Sequence, residues 1–136
     1  RNWYNFTFLS GDGLVEQAVH TVDWLQWVMQ EQPPVSCTAV GGRQIPQAGG
    51  NIFDHVEVNY LWENGVRGFM AQRQITGCKG DYSITVIGSK GTGVTASGGN
   101  SEITGETNWR YKGEKREREE GEMYVCVREF HRVGDQ

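Results

Sequence analysis

Glu16 and His20 stand four residues apart in SGDGLVEQAVHTVDWLQWVMQ, residues 10–30. On a helix that spacing puts a carboxylate and an imidazole one turn apart. An imidazole titrates near neutrality, so the pair is a candidate for proton chemistry. Asp23, Trp24 and Trp27 fall on the same face, and Gly11-Asp12-Gly13 at its polar end lets a ligand approach the backbone closely. The plainer reading is a surface pair that supports its helix by about 0.2–0.5 kcal/mol. Arg43, Asn51, His55 and Arg73 join the candidate site if a sheet packs behind the helix and brings them to this face.

Other patterns are weaker. Gly11-Asp12-Gly13 has the outline of a dinucleotide-binding turn, but Glu16 stands where that fingerprint needs its third glycine, and a carboxylate there would face the pyrophosphate. Residues 88–93 (GSKGTG) have the composition of a phosphate loop without its residue order or a following helix. Cys37, Cys78 and Cys126 are widely separated and lack metal-ligand spacing, so they read as ordinary thiols and no metal site is expected.

Positioning Glu16 and His20 requires a helix over residues 10–30. Val15, Ala18, Val19, Val22, Leu25, Val28 and Met29 recur on the 3.6-residue period and form a stripe that needs a core. Ser10 or Asp12 can cap this helix, and Pro33-Pro34 should end it near residues 30–32. Residues 3–9 (WYNFTFL) read as a strand leading into it. Strands are expected to follow over 35–40, 53–62, 66–75 and 82–87, with short pieces at 93–96 and 108–112. Within 53–62 the alternation sets Val56, Val58, Tyr60 and Trp62 on one face and His55, Glu57 and Asn59 on the other, and Asn64-Gly65 supplies a hairpin turn. Residues 43–51 read as a loop, 114–122 as a solvated mixed-charge run and 123–133 as a helix. The sum is an α+β domain: a large, mostly antiparallel β-sheet with a long helix packed on one face.

One domain over residues 1–136 accommodates this pattern. Hydrophobic residues make up 37% of the chain and include five Trp, five Tyr and five Phe, enough for a packed core. A formal net charge of −4 gives no attraction to nucleic acid or to an anionic membrane surface. No apolar run approaches the roughly 20 residues that cross a bilayer, so a soluble chain without a membrane partner is expected. The start at Arg1 suggests a processed protein or a piece of a longer one, which leaves both a cytoplasmic and an exported location open.

Residues 13–24 (GLVEQAVHTVDW), with Gly41-Gly42-Arg43-Gln44, residues 50–55 (GNIFDH) and residues 86–91 (VIGSKG), resemble the C-terminal domain of the Gfo/Idh/MocA oxidoreductases. The resemblance covers most of residues 1–130. In that family a Rossmann domain binds NAD(P), and a second α/β domain with a large antiparallel sheet carries part of the active site. The family motif is an Asp four residues before a His on the first long helix of that domain; His20 matches the His, and Glu16 stands at the Asp. The resemblance implies hydride transfer between a nicotinamide and a hydroxyl-bearing carbon, with His20 as general base or proton relay and Glu16 orienting it. Asp23, Arg43, Asn51, His55 and Arg73 are then candidate substrate contacts.

The same resemblance implies NAD(P) in the full-length protein, a sugar or polyol substrate, and a homo-oligomer formed through the open sheet face. The family's Glu-Lys-Pro segment and its glycine fingerprint are missing here, which implies a Rossmann domain outside this chain. The chain alone is therefore expected to bind no cofactor tightly and to be inactive. Two alternatives stay open. One is an NAD-dependent glycoside hydrolase of the same fold, with Glu16 or His20 in acid–base work; the other is a non-catalytic interaction module that uses the alternating apolar residues over 53–87.

Overall fold

The computed structural model describes residues 3–45, 49–96 and 101–111. They form two compact units, one within Arg1–Ile84 and one within Thr85–Gln136. The charge run over 114–122 and the helix expected over 123–133 lie outside the described residues.

The first unit begins with helical turns where a strand was expected. A 3-10 turn, Trp3–Asn5, leads into α1, Thr7–Ser10. Aromatic residues favour strands because they fit a half-buried pleated surface, but here they pack on one another: Phe6 and Phe8 at 5.8 Å, Trp3 against Tyr4 edge-on at 6.0 Å. Asn51 holds the segment in place. Its Oδ1 accepts from Thr7 N–H at 2.9 Å and its own N–H donates to the Asn5 carbonyl at 2.8 Å. Gly50, at φ +86, lies so close that any Cβ there would overlap the Asn5 carbonyl, so this contact requires glycine.

The single long helix is also replaced, by α2, Gly13–Glu16, and α3, Val19–Val28. Between them the N–H groups of Gln17 and Ala18 both donate to the Gly13 carbonyl, at 2.9 and 3.0 Å. The second bond spans five residues, and this widened turn interrupts the regular ladder. Upstream, Gly11 (φ +73) and Asp12 (φ +80) adopt positive φ and separate α1 from α2. Of the two expected caps Asp12 is used, its carboxylate accepting from Gly13 N–H at 2.6 Å, while Ser10, the last residue of α1, accepts on Oγ from Asp12 N–H at 3.1 Å. α3 stops ahead of the prolines, where Gln30 (φ +54) and Glu31 (φ +62) take left-handed backbone and Glu31 N–H returns to the Gln26 carbonyl.

Three antiparallel strands follow in the order β1-β2-β3: β1 Ser36–Gly42, β2 His55–Leu61 and β3 Arg67–Arg73. The β2–β3 hairpin turns at Asn64-Gly65 as expected, with Gly65 at φ +82 and Asn64 Oδ1 accepting from Val66 N–H. The alternation in β2 also holds. Val56, Val58 and Trp62 are buried with Met70, and Ala18, Leu14, Leu25 and Tyr60 pack on this cluster or join it.

Only part of the expected helical stripe reaches that core. Ala18 and Leu25 do, joined by Leu14, whereas Val15 is 58% exposed and Val19 43%. The widened turn at Gln17-Ala18 leads the contact surface through Leu14, and three strands are too few to cover the rest of the helical layer.

The second sheet has the order β4-β5-β6-β7, with β4 Ser83–Gly88, β5 Gly91–Ala96, β6 Ser101–Gly105 and β7 Trp109–Arg110. β5–β6 and β6–β7 pair antiparallel. The glycine-rich stretch 88–93 is the β4–β5 turn and the start of β5. The architecture is α+β with antiparallel sheets, as expected, but with two small sheets and short helices where one large sheet and one long helix were expected. Among the described residues no helix is long and apolar enough to cross a membrane.

Candidate functional site

The widened turn decides where Glu16 and His20 sit. Glu16 closes α2, half-buried, with its Oε2 accepting from the Gln17 side-chain amide at 2.7 Å. His20 lies in the first turn of α3 and is exposed, as is Asp23 one turn on. The two candidate proton-transfer groups form no ion pair; among the described residues the ion pairs are Asp54–His55 and Glu102–Arg110. Trp24 and Trp27 stack edge-on at 5.6 Å along the same helix.

Asp12 ties this helical layer to the loop before β2. Its carboxylate accepts from Gly13 N–H and, with both oxygens, from Phe53 N–H at 3.1 and 3.2 Å. Tyr4 lies within reach of the same charges. Burial, above all, pushes the Tyr4 phenol above its ordinary value, Gln74 opposes this, and Glu16 and Asp12 add to it.

A second cluster forms where β2 begins and β3 ends. Asp54 is buried, and its Oδ2 accepts from Gln44 N–H at 2.8 Å and Ile45 N–H at 2.6 Å, while its Oδ1 accepts from His55 Nδ1 at 2.7 Å. The Ile45 hydrogen bond is the largest influence on the carboxyl and holds it below the usual carboxylate range; burial works against this, and His55 and Gln44 assist. A carboxyl with a depressed folded pKa contributes stability that is complete above its unfolded value, about 3.9. That stability disappears as pH falls through the lower folded value. Melts followed below about pH 4 are therefore expected to show an acid-dependent loss that an Asp54→Asn variant lacks. An identical acid limb in the variant would remove Asp54 as its source.

His55 pairs in register with Arg73 on β3 and with Gly42 on β1. By alternation its side chain shares a sheet face with Glu57 and Arg73, opposite the face that carries Val56, Val58 and the helices. The structure thus joins His55 and Arg73 to each other but not to Glu16 and His20. Both line an open cleft of about 980 Å³ with Tyr4, Asn5, Gln72, Gln74, Lys79 and Asp81 among its walls. Arg43, exposed just past β1, borders a separate small recess beside Asp54. Asn51 is spent on holding the N-terminal turn. The sequence marked Asp12 only as a helix cap and did not single out Asp54 or Tyr4; the available signals were an Asp at a turn before a helix and another directly before a strand's first His.

The fold and these sites define an antiparallel α+β module with a short helical layer on its first sheet. Residues 1–94 match the model of the GFO/IDH/MocA C-terminal domain, and the chain belongs to that family. Among solved structures it is similar to a Thermotoga maritima protein described as an oxidoreductase, with TM-score 0.69 and 16% identity over 82% of this chain and 35% of that one. It is also similar to levoglucosan dehydrogenase in complex with NADH and levoglucosan, with TM-score 0.65 and 16% identity over 80% of this chain and 33% of that one. The NADH complex of the same enzyme gives TM-score 0.64 at 15% identity, again over 80% and 33%. At such identities the likeness shows the fold. The chain spans about a third of the length of these structures. No curated protein matches it.

Among the described residues, the Gly11-Asp12-Gly13 turn does not fit the pyrophosphate of a dinucleotide. The start of α2, where a pyrophosphate would lie, is capped by the Asp12 carboxylate, and Glu16 closes that one-turn helix.

Proposed function

We propose that this chain is the substrate-side domain of an NAD(P)-dependent oxidoreductase that acts on a sugar or polyol, with the cofactor held by a Rossmann domain outside it. Family membership over residues 1–94 carries the proposal. The neighbour solved with both NADH and levoglucosan supports the cofactor and the substrate class. His20, exposed in the first turn of α3, is the group able to take the hydroxyl proton when an alcohol is oxidised. Glu16, which closes α2 four residues before His20, is the carboxylate assigned to orient it, and Asp23 extends the polar surface along α3. The expected result with the full-length protein and a panel of sugars, polyols and aryl glycosides is net NADH formation. Aglycone release without net NADH would move the assignment to an NAD-dependent glycosidase, and neither signal would sink both.

A second reading, assembly of copies through the open face of the first sheet, draws support from Val40 and Phe69, which are 67% and 73% exposed there. Sedimentation that stays monomeric at every concentration would remove it.

A further inference from the structure

We infer that the cleft beside the Asp54–His55 pair is a second ligand site, separate from Glu16 and His20, that takes a small polyhydroxylated monocarboxylate. The argument starts with proton bookkeeping on the pair. An ionised Asp54 can only accept, so the 2.7 Å contact places the proton on His55 Nδ1 and leaves Nε2 as the atom that meets a ligand. The carboxylate fixes the ring as well as its tautomer, because Asp54 is itself held by Gln44 and Ile45 N–H. The ring edge is kept clear by Gly42, where a Cβ would come within 3.2 Å of Cε1 and 3.4 Å of Nε2.

The lining charges select the ligand. Arg73, across the strand pair from His55, is oriented by donating from Nη2 to the Lys79 carbonyl at 3.1 Å, and Lys79 itself lines the same cleft. Two cations favour a carboxylate. Glu57, the next side chain on this face of β2, and Asp81 also line it; they accept from hydroxyls and oppose a second negative charge. At about 980 Å³ the cleft admits a six-carbon acid.

The test uses the 136-residue chain with gluconate as probe. Calorimetry is expected to show saturable binding, and NMR the largest shifts at the His55 ring. His55→Gln and Arg73→Gln should each weaken binding about tenfold, the loss of one charge-assisted hydrogen bond. Lys79→Gln, at an exposed position, serves as the third variant should either of those change the circular dichroism spectrum. Neutral glucose and inorganic phosphate should bind about tenfold more weakly than gluconate, because one lacks the charge and the other carries too much. His20→Ala should leave the calorimetric affinity for gluconate as it is in the parent chain. Absence of saturable gluconate binding, equal binding of glucose or phosphate, or affinity that survives every folded variant overturns the proposal. No cofactor enters this measurement, so its outcome is independent of the dehydrogenase assay.

Discussion

Trp62→Ala is expected to destabilise the first unit by about 3–5 kcal/mol, the range for removing a buried tryptophan. Trp62 is 3% exposed just past the end of β2, with Tyr60 beside it at 6.0 Å. Gly68 on β3 makes room for the ring: a Cβ there would come within 2.9 Å of Trp62 Cζ3 and 3.3 Å of Leu25 Cδ2. The indole is thus wedged between the sheet and α3. Its Nε1 also donates to the Gln32 carbonyl at 2.8 Å, tying the end of the helical layer to the β2–β3 hairpin. Alanine would leave a cavity that the hairpin backbone cannot close, because Trp62 N–H is fixed to the Val66 carbonyl and Gly65 N–H to the Trp62 carbonyl. With total stabilities of small domains near 5–15 kcal/mol, much of the folded population would be lost. Trp62→Phe keeps most of the packing and drops the hydrogen bond, so it should cost about 1–2 kcal/mol. Urea unfolding of both variants separates the two contributions. A Trp62→Ala chain within about 0.5 kcal/mol of the parent would mean that the ring is not a core element.

Trp62 is also a position that the sequence reveals by itself. Its place follows from strict alternation over residues 53–62, which a strand with one buried face enforces. The Asn64-Gly65 turn was readable for a similarly local reason, since tight hairpins need positive φ. The helical layer was not readable in the same way. Nothing in the residue types at Gln17-Ala18 announces a widened turn, because neither Gly nor Pro stands there. That turn selects Leu14 over Val15 for the core, so a periodic stripe alone chose the wrong partners. The aromatic run at residues 3–9 misled because strand propensity reports packing against a neighbour strand, and the partner here is the Asn51 loop. The site shows the same division. A helical motif shared with a family pointed to Glu16 and His20, whereas the Asp54 clamp depends on loop backbone N–H groups that no side-chain pattern encodes.

The largest functional effect is expected at His20. His20→Ala should lower turnover of the full-length enzyme by about 10²–10⁴-fold, the usual contribution of a positioned acid–base group. Its fold should survive. The side chain is exposed and makes no hydrogen bond or ion pair among the described residues, and alanine favours a helix more than histidine does. Thermal melts of the variant should therefore overlay those of the parent or rise slightly. The separation of effects identifies the role. A general base that acts only as the proton leaves should depress the maximal rate with little change in KM, and the histidine limb of the pH–rate profile should vanish with it. Glu16→Gln should give a smaller loss, since Glu16 acts through the imidazole and is held by Gln17 at 2.7 Å, away from ion-pair contact with His20. Activity that persists after His20→Ala with its pH profile intact would make the exposed face of α3 a structural surface, and the proton acceptor would have to come from outside this chain.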